Sequence, residues 1–270
     1  MLSPFEQAIV LGILQGLTEF LPISSDGHLA LAQMLLDVEG GGLTLTVLLH
    51  AGTLLATILY FRQRIGEVLL ELWHHLRRGR LPAPASAGWD AILVLMATVP
   101  TGLIGLALRD MVAQWTHEPL ATGFGFIITA CLLTSTLWAR PGTLLSPTLV
   151  GALVIGFAQG LAVAPGISRS GITIVTALWL GVRAERAFEF SMLLSVPAVA
   201  AALLLELLEG ESMDGHALAA AIGAITAFAV GLGALSLLRR VVSRGHLAWF
   251  ALWVLPVALA TLALAKAWPD

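Results

Sequence analysis

Residues 15–28 read Gln15-Gly16-Leu17-Thr18-Glu19-Phe20-Leu21-Pro22-Ile23-Ser24-Ser25-Asp26-Gly27-His28. They place a carboxylate, two hydroxyls, a second carboxylate and an imidazole within ten residues, inside a segment from 7 to 36 that is otherwise apolar. A transmembrane helix takes about 20 predominantly apolar residues, and this segment is broken at mid-length by its proline, glycine and serine cluster. Irregular backbone at membrane depth is tolerated only where protein buries it or a wet cavity meets it. The pattern predicts a re-entrant helical hairpin rather than a crossing.

A second segment, 148–180, has the same character and breaks at Ala164-Pro165-Gly166-Ile167-Ser168-Arg169-Ser170-Gly171-Ile172-Thr173. Sliding the chain by 144 residues lays Gln15-Gly16-Leu17 on Gln159-Gly160-Leu161 and Ile23-Ser24 on Ile167-Ser168. Ala8, Gly12 and Gly27 likewise meet Ala152, Gly156 and Gly171. Matches concentrated at two helix breaks point to duplication. Six further segments, at about 43–61, 90–108, 119–139, 188–208, 217–238 and 246–265, read as full spans. The expected fold is an all-α polytopic membrane protein of six transmembrane helices plus two re-entrant helical hairpins. It forms one membrane domain over 1–270, built from inverted-topology repeats at 1–140 and 147–270.

Composition supports lipid as the solvent. The chain of 270 residues is 58% hydrophobic and 11% charged, where soluble domains carry about 25% charged residues. A net charge of -3 provides no basic face for nucleic acid. The lone Cys131 lies in an apolar run and reads as an inert core residue. Glu6 and Gln7 lead straight into the first apolar stretch, without the basic start of a signal peptide, so that stretch is expected to belong to the mature fold.

Cytoplasmic loops collect Lys and Arg. Arg62, Arg64, Arg77, Arg78 and Arg80, then Arg140, then Arg183 and Arg186, then Arg239, Arg240 and Arg244 account for 11 of the 14 basic residues. The alternating segments are acidic, with Asp37 and Glu39, Asp110 and Glu118, and Glu209, Glu211 and Asp214. Threading six spans through these signs leaves both termini outside the cytoplasm, with the first hairpin entering from outside and the second from inside. Inverted repeats with broken helices place binding sites where the halves meet, near the membrane centre.

Arg169 is the most informative residue. A charge at bilayer depth costs about 2.5–3.5 kcal/mol even on insertion scales, so it requires a partner. It is either a structural ion pair with Glu19 or an anion clamp, because the planar guanidinium fork matches phosphate oxygens bidentately. Ser168, Ser170 and Thr173 offer hydroxyls, and Gly171 opens a helix whose N–H groups favour anions; each hydroxyl is equally readable as a helix cap. Glu19 reads as a cation ligand, as a group orienting the histidine, or as the partner of Arg169. Gln15, one turn earlier on the same face, reads as a supporting hydrogen-bonding group.

Histidine as a residue type titrates near neutrality, so His28 is a candidate to pass protons or attack phosphorus directly. Ser25 is the candidate alkoxide nucleophile, with Ser24 as cap or phosphate donor. Asp26 can orient His28, bind a cation or cap the next helix. His50 either lines the cavity or makes a helix-to-helix hydrogen bond, and Glu189 reads as interfacial. His74, His75 and the nearby arginines read as a solvated face.

These two motifs resemble those of the bacterial undecaprenyl-diphosphate phosphatase family, associated with bacitracin resistance. The first signature runs from Gln15 to His28 and the second from Pro165 to Thr173, with Glu189-Phe190-Ser191 to Pro197 extending the likeness. The resemblance implies hydrolysis of the C55 isoprenoid diphosphate to its monophosphate on the outer side of the bacterial inner membrane, recycling a lipid carrier for peptidoglycan. It implies a divalent cation, magnesium or calcium; in this chain Glu19 and Asp26 are the carboxylates expected to bind it. It carries Glu19, Ser25, His28 and Arg169 over as catalytic residues, with Ser168, Ser170 and Thr173 as phosphate contacts; Gln15, Ser24 and Gly171 complete the expected substrate-binding set. Gln15 stands where some relatives have glutamate, and Asp26 where a small hydroxyl residue is frequent.

The expected reaction has Ser25, activated by His28, or His28 itself, attacking the distal phosphorus of a polyprenyl diphosphate whose tail lies in membrane lipid. A homodimer is a permitted assembly. The rival from another class is a secondary transporter or lipid flippase built on the same inverted repeat; a membrane scaffold is a distant third, because it leaves the buried charges unexplained.

Overall fold

The structure is a computed structural model that describes residues 2–36, 42–116, 118–208 and 217–267. Its elements are α1 (Pro4–Thr18), α2 (Ser25–Leu36), α3 (Gly42–Tyr60), α4 (Arg62–Arg77), α5 (Ala87–Trp115), α6 (Pro119–Ser135), α7 (Leu149–Leu161), α8 (Arg169–Trp179), α9 (Ala184–Leu208), α10 (Ala217–Ser243) and α11 (Ala251–Ala267). Short 3-10 turns lie at Thr136–Trp138 and Leu247–Phe250, and the described residues contain no strand. Among the described residues, five helical stretches are long and apolar enough to cross a membrane, or six when α3 and α4 are taken together as one broken span. The protein is a polytopic, all-helical membrane protein.

Both broken segments fold as short helix, irregular break, short helix. The first break separates α1 from α2 and the second separates α7 from α8. The surface that would meet lipid is apolar, with Leu95, Leu103, Val150, Ile225 and Leu252 all exposed. Packing is tightest where small residues let backbones touch. In α7, a Cβ on Gly156 would lie 2.0 Å from the Ala97 carbonyl oxygen of α5, so only glycine permits this approach. The main helix contacts are α1 on α10, α10 on α3, α5 on α7 and α6 on α11.

Two details differ from the sequence reading. The basic stretch after Tyr60 is not a plain loop: it contains α4, turned by 72° from α3. Its residues Leu69, Leu70, Trp73 and Leu76 are exposed alongside Arg62 and Arg77, an amphipathic surface of the kind that lies along a membrane interface. Asp110, expected in a loop, lies within α5, which runs on to Trp115. Asp37, Glu39, Glu209, Glu211 and Asp214 lie outside the described residues.

Asp90, Arg64, Arg186 and Glu189, which the sequence scattered over separate loops and helix starts, form one ion cluster. Arg64 and Arg186 both reach Asp90 Oδ2 at 2.5 Å, and both reach Glu189 carboxylate oxygens at 2.6 Å. Arg186 Nε also donates to the Leu145 carbonyl at 2.6 Å. The cluster ties α4, α5 and α9 together, and the Asp90 side chain is only 1% exposed. Removing one partner of a buried ion cluster strands the other charge, at a cost of about 3–5 kcal/mol. Asp90→Ala is expected to lower the thermal unfolding temperature of the detergent-solubilised protein sharply; an unchanged melting curve would refute this role.

Candidate active site

The two breaks abut. A Cβ on Gly171 would lie 3.3 Å from Pro22 Cβ, and one on Gly27 would lie 3.1 Å from Gly166 Cα. Ser24 adopts a left-handed backbone (φ 70), as does Gly166 (φ 83), and these turns start α2 and α8 close together. The irregular backbone of the second break is satisfied from α6: Thr129 Oγ1 donates to the Gly166 carbonyl at 2.8 Å and accepts from Ser168 N at 2.9 Å. Gly125 permits the approach, since a Cβ there would lie 2.0 Å from the Pro165 carbonyl oxygen. This is how broken helices survive at membrane depth, through neighbouring side chains that take up the freed backbone groups.

Glu19, at the end of α1 and 8% exposed, is the hub. Its Oε1 pairs with Arg169 Nη2 of α8. Its Oε2 accepts from Ser25 Oγ at 2.7 Å and from Gln15 Nε2 at 3.1 Å. His50 Nε2, from α3, approaches the same oxygen at 3.8 Å and Asp26 Oδ1 at 3.4 Å. Of the two readings of Arg169, the ion pair with Glu19 is the contact present, and it uses only part of the guanidinium. One nitrogen pairs with Glu19, while Nη1 is buried and has no hydrogen-bond partner. A buried guanidinium nitrogen left unmatched is costly, and Arg169 lines a narrow cleft with Glu19, Thr53, Thr57 and Ser195 between α3 and α9.

Arg169 is also the first residue of α8. That is an unfavourable place for a cation, because the helix N-terminus already carries a partial positive charge. Two positive features on one spot suit an anion. The hydroxyls around it are mostly committed to structure. Ser168 caps α8 by accepting from Gly171 N at 3.1 Å, and its Oγ is 3.3 Å from that of Ser170. Thr173 Oγ1 lies 2.6 Å from Ser191 Oγ of α9 and donates back to the Arg169 carbonyl. Gly171 N is taken by the cap, so these four residues shape the loop that presents Arg169.

His28 does not reach Ser25, and this corrects the expected Ser25–His28 pair. Its Nδ1 lies 2.7 Å from the Ser24 carbonyl, and its Nε2 accepts from Trp253 Nε1 of α11 at 3.1 Å. The hydroxyl of Ser25 points to Glu19 instead. The physical reason is helical geometry: Ser24 and His28 are one turn apart, so the imidazole folds back onto the backbone, while Ser25 faces the break. Asp26 faces His50, not His28. Sequence reasoning gave no signal for Thr53, Thr57, Ser195, Thr129 or Trp253, all of which lie on other helices.

A hard divalent cation takes oxygen donors. Glu19, Asp26 and the Oε1 of Gln15, which is buried and has no hydrogen-bond partner, are oxygen donors of the kind such an ion takes. The described residues hold no group of three or more His, Cys, Asp or Glu arranged for a metal.

Known proteins resemble the chain in sequence over most of its length. The profile of the family described as bacitracin resistance protein BacA matches residues 8–260 of the chain. The chain belongs to that family. Among the BacA relatives, the undecaprenyl-diphosphatase of Korarchaeum cryptofilum is 40% identical over 261 residues, spanning 96% of this chain and 98% of its own. That of Desulfatibacillum aliphaticivorans is 37% identical, spanning 91% and 93%. That of Carboxydothermus hydrogenoformans is 35% identical, spanning 95% and 96%. The likeness to BacA members thus includes both breaks and every helix between them.

Proposed function

We propose that this protein is a membrane phosphatase that hydrolyses undecaprenyl diphosphate to undecaprenyl phosphate and inorganic phosphate. The observation that carries the reading is the unpaired Nη1 of Arg169 beside a serine hydroxyl already bonded to a carboxylate. An anion that enters the cleft meets a guanidinium with a free donor, the start of α8, and a nucleophile whose proton has a destination. A carrier has to hold and release its anion, and a hydroxyl poised on a carboxylate adds nothing to that task.

The reaction follows from these contacts. The distal phosphate takes Nη1 of Arg169 and draws the guanidinium from Glu19, which frees that carboxylate. Ser25 Oγ attacks the distal phosphorus as Glu19 receives its proton, and the anhydride bond breaks with prenyl phosphate as the leaving group. Water then attacks the phosphoserine, giving its proton to His28 Nε2, while Glu19 returns a proton to Ser25 Oγ; phosphate departs and His28 releases its proton to solvent, restoring the starting state. Glu19, Asp26 and Gln15 Oε1 are the groups that would hold magnesium or calcium. Such an ion supplies charge neutralisation for a reaction between anionic groups.

The placement proposed is the bacterial inner membrane, with the site opening to the outer side and both breaks as re-entrant hairpins of an inverted repeat. Supporting this, α1 rests on α10 and α7 rests on α5, the same relation exchanged between the two halves. The basic residues Arg64 and Arg186, assigned to one side by charge, meet at Asp90. The test is phosphate release from undecaprenyl diphosphate by the purified full chain, with and without a chelator. Release that the chelator abolishes supports both enzyme and cation. No release, with lipid flipping across proteoliposomes, would establish the transporter.

A further inference from the structure

We propose that Trp253 is a positioning residue that caps the working nitrogen of His28 in the resting protein. The inference starts from bond inventory. Indole Nε1–H can only donate, so the 3.1 Å contact from Trp253 makes His28 Nε2 the acceptor. The Ser24 carbonyl can only accept, so the 2.7 Å contact at Nδ1 makes that nitrogen the N–H. Together these bonds fix one neutral tautomer, because the partner of one ring nitrogen dictates the state of the other. Nδ1 is bound to the backbone of its own helix. Nε2 is therefore the nitrogen left for chemistry, and Trp253 covers it.

The ring is also held in place by packing. Phe126 of α6 meets His28 edge-on with centroids 5.0 Å apart, and Trp253 lies nearly parallel to it at 6.4 Å. Trp253 itself is 57% exposed. Its indole thus spans from the outer face of α11 to a buried imidazole, apolar body outward and N–H inward, which is the usual disposition of this side chain at boundaries. Nothing in the fold requires that N–H to end on a catalytic lone pair, and a phenyl ring would fill the same surface. The cap aims the imidazole and keeps its lone pair from reacting until the indole yields it.

The role of Trp253 in turnover rests on the phosphatase reading, but the cap itself does not, and the two are tested separately. Diethylpyrocarbonate acylates the free lone pair of neutral imidazole. In the full chain in detergent, Trp253→Phe is expected to raise the rate of modification at His28, followed by peptide mass, about fivefold to tenfold, the loss of one net hydrogen bond. Trp249→Phe removes a tryptophan that stacks on His246 instead and is expected to leave the His28 rate unchanged. In single turnover, breakdown of the phosphoenzyme is expected to accelerate by a similar factor in Trp253→Phe with KM unchanged, which a merely structural role would not produce. An unaltered modification rate at His28 overturns the cap. Should Trp253→Phe fail to fold, 15N spectra of histidine-labelled wild-type protein decide the matter: the cap requires Nδ1 of His28 to carry the proton and Nε2 to show a hydrogen-bonded lone pair, and a protonated Nε2 overturns it. If wild type releases no phosphate while His28 is still capped, the phosphatase reading fails and the cap stands.

Discussion

Arg169→Ala is expected to lower kcat/KM for polyprenyl diphosphate by about 10³-fold or more, the upper end of what one preorganised donor contributes to a developing anion. Two losses combine. The distal phosphate loses the free Nη1 donor, and Glu19 loses the exchange partner that releases it as a proton acceptor. Arg169→Lys keeps the charge but not the planar fork, so it recovers only part of the rate. Stability separates catalysis from structure. With Arg169 gone, Glu19 is a buried carboxylate that has lost its guanidinium partner and keeps only its contacts with Ser25, Gln15 and His50, and removing one partner of a buried pair costs up to about 3–5 kcal/mol. The double variant Glu19→Gln with Arg169→Ala removes the stranded charge, and it is expected to regain most of the melting temperature while remaining inactive. A double variant as active as wild type would show that the pair only fastens the two breaks together.

How much of this was legible beforehand depended on whether the signal was local. The broken segments, the spans and the cluster Glu19, Ser25 and Arg169 could be read because each break carries its polar residues within about ten positions of an apolar run. The convergence of α1 with α8 could be read as well, since a charge at bilayer depth demands a partner, and Glu19 was one of few on offer. What the sequence hid was direction. Ser25, Asp26 and His28 are near neighbours in the chain, which suggested one relay. In the helix they diverge, to Glu19, to His50 and to Trp253. A hydrophobic period does not report side-chain azimuth at a helix start, where a single left-handed residue, Ser24, resets the orientation.

Long-range partners were silent for a different reason. Trp253 lies 225 positions from His28, in a helix otherwise full of Leu, Val and Ala, where a tryptophan is ordinary. Asp90 was hidden by its position at the head of an apolar span, where an acidic residue normally complements the helix dipole. Burial turned it into the anchor of two arginines. Thr129 was equally inconspicuous, because threonine in a membrane helix usually bonds back to its own chain. Here it crosses to the Pro165–Ser168 turn and makes the second break possible. Each of these residues supports the site from outside the two motifs, so motif reading names the reacting groups and omits what holds them.

Ser25→Ala is expected to reduce steady-state phosphate release by about 10⁴-fold or more, in line with the removal of a nucleophile from a site whose parts act as a unit. The geometry favours serine over histidine as that nucleophile, since Ser25 Oγ is bonded to Glu19 at 2.7 Å while both nitrogens of His28 are engaged elsewhere. The chemical nature of the intermediate tells them apart. Protein quenched during turnover of substrate labelled at the distal phosphate should hold a phosphate that survives acid and is lost in alkali, as a phosphoserine does. Ser25→Ala should hold none. Glu19→Gln should form it slowly, by the factor of about 10²–10⁴ that a positioned base provides. His28→Ala should form it and then accumulate it, because the group that takes the proton from the attacking water is missing. An acid-labile label that persists in Ser25→Ala and vanishes in His28→Ala would reverse the assignment, making the imidazole the attacking group and the pair of Ser25 with Glu19 its supporting acid and base.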